Sequence, residues 1–106
     1  MESIHTIIAR AALAMDLAEE DLRTIFAQGA QKTYEAGAWL FHESAPRNWA
    51  GIVQAVELEI VRGLYGSTPV LARLGPGAMI AEGALLDNTP HTTGAFTREG
   101  VVVWQV

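Results

Sequence analysis

The sequence predicts a mainly-β fold, a small antiparallel β-roll or jelly roll (a double-stranded β-helix) preceded by N-terminal helices. Three observations carry that prediction. Short apolar strands recur at regular spacing after Lys32, glycine turns at Gly37, Gly63, Gly75, Gly77 and Gly100 separate them, and helical periodicity is confined to the residues before Gly29.

Residues 3–15 set Ile4, Ile7, Ile8, Ala11 and Met15 on one stripe at spacings of three and four, an amphipathic helix. Asp16, with Glu19 three residues on, reads as a capping-box start to a second helix. Leu22, Ile25 and Phe26 form its apolar face opposite Glu19, Glu20 and Arg23, and Gly29 stops it. From Lys32 the period shortens to two. Thr33-Tyr34 runs into a turn at Glu35-Ala36-Gly37, and Trp39 to His42 form a strand. Residues 43–51 read as loop. Val56, Leu58 and Ile60 alternate with Glu57 and Glu59, which predicts one strand with a wet face. Residues 63–69 are a turn region, Val70 to Leu74 a strand, and Gly75-Pro76-Gly77 a turn. Thr92 to Thr97 and Val101 to Val106 are two strands joined at Arg98-Glu99-Gly100. Trp39, Trp49 and Trp104 read as packing residues, Trp49 alternatively as an interaction residue on a loop.

Composition narrows the function. At 106 residues and half hydrophobic, the chain predicts one domain, 1–106, with a helical part over 1–30 and the roll over 31–106. It has no cysteine, which excludes a disulfide framework, a thiolate metal site and a cysteine nucleophile. Its net charge is −5 and its seven basic residues are scattered, so it lacks the basic face that nucleic-acid phosphates require. The N-terminus has no basic n-region, and Arg10 and Asp16 break the first apolar run, so neither a signal peptide nor a membrane span is expected. A cytoplasmic setting fits. His5, His42 and His91 show no metal-ligand spacing, and Ser3, Ser44 and Ser67 stand in no nucleophile context, so the chain is expected not to be an enzyme.

Two stretches then carry a resemblance. "YEAGAWLFHE" supplies Tyr34, Gly37, Leu40 and Phe41, and "ARLGPGAMIAEGALLDNTPHTTGAF" follows after a hydrophobic strand. In this order they resemble the cyclic-nucleotide-binding domain family of catabolite-activator-type transcription factors, kinase regulatory subunits and gated channels. The first turn of that family reads aromatic-x-x-Gly-x-x-Leu-Phe-x-x-Gly, and Ser44 or Ala45 stands here where its second glycine is expected. Its phosphate-binding cassette reads Phe-Gly-Glu-x-Ala-Leu-Leu, a variable run, then Pro-Arg-Ser/Thr-Ala.

The resemblance implies a ligand site residue by residue. Ile80 takes the aromatic place and Ala81 the glycine place. Glu82 matches the acceptor of the ribose 2′-hydroxyl. Gly83, Ala84, Leu85 and Leu86 match the helical turn whose free N–H groups face the cyclic phosphate. Pro90 matches, His91 takes the arginine place, Thr92 matches the hydroxyl residue, and Thr93 replaces alanine. Arginine gives phosphate a permanent bidentate charge, whereas an unperturbed imidazole is mostly neutral at pH 7. A cassette so altered predicts weak or lost binding of cyclic AMP, cyclic GMP or a related small anion.

The family continues past its last strand into lid helices, and this chain ends at Val106, so a fused or partner effector domain is expected. Two readings stay open: a ligand sensor coupled to that effector, or a roll without a small-molecule ligand that serves docking or homo-oligomerisation.

Overall fold

The computed structural model describes residues 1–42, 49–61, 70–80 and 94–106. They form α1 (Ile4–Met15), α2 (Glu19–Phe26), β1 (Ala30–Tyr34), β2 (Trp39–Phe41), β3 (Gly51–Val56), β4 (Leu58–Val61), β5 (Val70–Leu74), β6 (Met79–Ile80), β7 (Gly94–Phe96) and β8 (Val101–Gln105). The predicted turn at 63–69 and the helical turn beginning at Glu82 lie outside the described residues.

Ser3 opens α1, its side-chain oxygen accepting from the Thr6 N–H at 3.3 Å. The stripe buries Ile7, Ile8 and Ala11 together with Ala12, but leaves Met15 39% exposed. Asp16 follows it. It adopts the left-handed conformation at φ 54° and its N–H returns to Ala12 and Leu13, which ends α1 and turns the chain away. Asp16 therefore closes the first helix and does not open the second, a correction to the capping-box expectation. The N-cap of α2 is Ala18, with no side-chain cap. Glu19, Glu20 and Asp21 in its first turn complement the helix dipole instead. Leu22 and Phe26 are buried, while Ile25 is 38% exposed.

The strands form two four-stranded antiparallel sheets, ordered β1-β8-β3-β6 and β2-β7-β4-β5. The first sheet is covered on both sides. Ala50 and Ile52 meet the helices through Ile8, Ala11 and Phe26, with Met79 and Trp104 packed alongside. Val53, Ile80, Val101 and Val103 face the other way and fill the roll against Leu40, Leu58 and Ala95 of the second sheet. Burial of this kind contributes roughly 25 cal/mol per Å² of apolar surface and makes β3 and β8 the centre of the fold. The Trp104 indole N–H donates to the Phe26 carbonyl at 3.0 Å, a carbonyl at the end of α2 that also accepts from the Gly29 N–H at 3.0 Å. Gly29 has to lack a side chain, because a Cβ there would collide with that indole and lie 2.7 Å from the Gln105 carbonyl oxygen.

One expected strand is divided. The alternation across Val56, Leu58 and Ile60 spans the end of β3 in one sheet and β4 in the other. Val56 sits at the corner with φ 68° and is 45% exposed, and Glu59 is 4% exposed. The wet face predicted for Glu59 is thus wrong. Its carboxylate is covered by Arg98, which donates from Nη2 at 3.1 Å and from Nε at 3.4 Å, while Arg73 Nε lies 3.5 Å away.

The corners meet at Thr97. Its N–H donates to the Ala38 carbonyl and its carbonyl accepts from the Gly37 N–H, which ties down the β1–β2 turn. Its hydroxyl donates to the Glu57 carbonyl at the β3–β4 corner and accepts from the Gly100 N–H in the β7–β8 turn, each at 3.0 Å. Three crossings between the sheets are fastened to one fully buried residue, one through its backbone and two through its hydroxyl.

Candidate functional site

The opposite end of the roll is where the candidate site attaches. Strand register shows this directly. Gly51 pairs with Ile80, Val61 with both Gly94 and Val70, and Phe41 with Ala95. The ends that flank 43–48, 62–69 and 81–93 therefore all lie at one end, away from Thr97. Ile80 leaves from the first sheet and Gly94 re-enters in the second.

Of the ligand-site residues that the resemblance implies, Ile80 is described. It is 2% exposed and packs in the roll interior, an apolar anchor at the start of the segment. Ala81, Glu82, Gly83, Ala84, Leu85, His91, Thr92 and Thr93 lie outside the described residues.

Around that end the structure assembles groups that the sequence pattern leaves scattered. Trp49 precedes β3 by two residues and packs on the interior cluster. Its ring meets Phe41 from the second sheet edge-on, with centroids 5.9 Å apart and an interplanar angle of 64°. Gly51 between Trp49 and Val53 leaves room for this. A Cβ there would lie 2.7 Å from Val103 Cγ1 and 3.0 Å from Trp49 Cζ3. Trp49 therefore leans across a position that has no side chain, and Gly51 is required by packing. Of the two sequence expectations for Trp49, packing is the one observed, although the residue is only partly buried.

Among the described residues, two concavities lie elsewhere. One of about 240 Å³ is lined by Glu57, Glu59, Arg73, Arg98 and Glu99. Its register row, Trp39–Phe96–Glu59–Arg73, crosses the outer face of the second sheet, because Leu58 beside Glu59 faces the interior. Glu57, Glu59, Arg73 and Arg98 there are already paired with one another, the buried Glu59 carboxylate lying under two largely exposed guanidinium groups. The other, about 370 Å³, lies between the helices and β8 and is lined by residues including Ile8, Phe26 and Trp104. Neither includes Ile80, Phe41 or Trp49. Among the described residues no group of His, Asp and Glu is arranged to hold a metal ion, and no helix is long and apolar enough to cross a membrane.

Known structures share this architecture. The regulatory domain of protein kinase A from Toxoplasma gondii, solved with cyclic AMP, is 28% identical with a TM-score of 0.79 over 96% of this chain and 39% of its own. The N-terminal domain of a transcriptional regulator from Streptomyces coelicolor is 26% identical, with a TM-score of 0.73 over 92% of this chain and 69% of its own. A cyclic nucleotide-binding-like protein from Brucella abortus shares the fold at 24% identity, with a TM-score of 0.76 over 96% of this chain and 88% of its own. No curated protein matches the chain. The family model for the cyclic nucleotide-binding domain matches residues 31–106, from the first strand of the roll to the last residue. The helix-backed pair of sheets and that match lead to one conclusion: the chain belongs to the cyclic nucleotide-binding domain family.

Proposed function

We propose that the chain is a non-catalytic regulatory module, one domain over 1–106, whose site for cyclic AMP, cyclic GMP or a related small anion is weakened. A cytoplasmic setting and coupling to a fused or partner effector domain belong to the same reading. The observation that carries it is the residue pattern of 80–93. Glu82, Pro90 and Thr92 keep the family's residues, while His91 replaces the arginine and Ala81 the glycine.

The chemistry sets the expected magnitude. Removing one member of a buried, charged hydrogen-bonded pair costs about 2–5 kcal/mol, tens- to thousands-fold in affinity. Backbone N–H groups at a helix start still attract an anion, and Glu82 still offers an acceptor for a 2′-hydroxyl. Weak binding, stronger near pH 6 where an unperturbed imidazole is protonated, is the expectation for the native chain.

Calorimetric titration with cyclic AMP and cyclic GMP tests this. His91→Arg should raise affinity, Ala81→Gly combined with it should exceed either change alone, and Glu82→Ala should abolish the gain. If the double variant stays folded yet blind to millimolar nucleotide, the sensor reading fails. The second reading, a roll that serves docking or homo-oligomerisation without a ligand, then stands. The departures at His91 and Ala81 favour that alternative.

A further inference from the structure

The turn between the two helices leaves large apolar side chains in water beside unpaired carboxylates. We propose that this turn is a docking surface for a basic amphipathic helix of a partner protein. It involves no residue of 80–93, so it goes beyond the nucleotide-binding reading and does not depend on it.

Leu13 to Ala18 are all exposed, and five of these six residues are apolar. Leu13 is 86% exposed, Leu17 47% and Met15 39%. Side chains of this size gain from burial, and their clustering on a surface marks a contact site. The turn is also held in shape. Asp16, in its left-handed conformation, returns its N–H to Ala12 and Leu13, and the Leu17 N–H donates to the Ala12 carbonyl at 2.9 Å. A backbone fixed in this way needs little further ordering when a partner arrives.

Charge selects the partner. Asp16 lies within the exposed run, and Glu19, Glu20 and Asp21 follow in the first turn of α2. The cations of the two helices are engaged, Arg10 with Glu2 and Arg23 with Glu19. Among the described residues, Asp16, Glu20 and Asp21 have no ion pair. The helix dipole accounts for acids at the start of α2, but not for exposed leucines beside them. A second copy would bring its own carboxylates against these, and an anionic membrane would be repelled. A helix with leucine-type side chains on one face and lysine or arginine along its edges complements both features.

Two synthetic peptides serve as probes. One is a helix with leucine along one face and lysine on the other, and the second has the same composition in scrambled order. Calorimetry and the amide shifts of the isotope-labelled chain read binding. The amphipathic peptide should shift the amides of Leu13 to Asp21 and bind roughly tenfold or more tightly than the scrambled one. Leu13→Ser should weaken it several-fold, and Leu13→Ser combined with Leu17→Ser roughly tenfold or more. Glu20→Gln combined with Asp21→Asn should weaken it less and flatten its dependence on salt. Leu71→Ser, at an exposed leucine of β5, should change nothing. Equal binding of the two peptides, shifts centred elsewhere, no binding, or unchanged affinity in a folded Leu13→Ser chain overturns the proposal. So does a native chain that self-associates in sedimentation while Leu13→Ser does not, which gives the surface to a second copy.

Discussion

Val56 occupies a conformation that its side chain opposes. A β-branched residue at φ 68° crowds the following carbonyl, which costs about 1–2 kcal/mol, and the residue is 45% exposed, so burial returns little of it. Glycine removes the crowding and adds about 0.5–1 kcal/mol of backbone entropy cost. Val56→Gly should therefore stabilise the chain by about 0.5–1 kcal/mol and raise the melting temperature by roughly 2–6 °C. An unchanged or lower melting temperature in a thermal scan would show that the corner depends on the valine. Nothing in the residue order announces this strain. The pattern of Val56, Leu58 and Ile60 reads as one alternating strand, because period two survives when a strand leaves one sheet and continues in the next. The same blindness affects Glu59. A carboxylate between apolar neighbours reads as solvent-facing, and only the folded chain brings Arg98, 39 positions away in sequence, over it.

At the scale of elements, the corners decide the fold and one hydroxyl joins them. Thr97→Val keeps the shape and removes both hydroxyl bonds, which leaves the Gly100 N–H and the Glu57 carbonyl without their partner. At about 1–1.5 kcal/mol for each, the expected loss is about 2–3 kcal/mol, whereas Thr97→Ser should stay within about 1 kcal/mol of the native chain. Urea denaturation of the two variants checks this, and equal midpoints for Val and Ser would remove the hydroxyl from the account. The elements themselves were largely legible. Both helices, the strands around Trp39, Val70 and Val101, and the turns at Gly37, Gly77 and Gly100 stand where period and glycine placement put them. What local pattern misassigned was the role of Asp16, since one residue with a short carboxylate suits a helix start and a left-handed helix end equally well.

For the whole molecule, charge sets the reach. A net charge of −5 without a basic stripe should leave this chain unable to bind random duplex DNA at physiological salt, and salt-sensitive micromolar retardation in a mobility-shift assay would contradict that. Family membership was legible in ordered motifs from Tyr34 onward, because turn glycines and apolar anchors keep their spacing when individual residues drift. Of the candidate site, the motif named Ile80 and the segment after it, but not Trp49 or Gly51. Trp49 meets Phe41 of the other sheet and Gly51 leaves it room, an arrangement that no linear spacing encodes. The division between the two ends of the roll has an evolutionary corollary. On the proposed reading, the corner contacts of Thr97 serve folding and the residues of 80–93 serve recognition. Drift in a recognition sequence can therefore accumulate, or be reversed, without the lineage having to rebuild its scaffold.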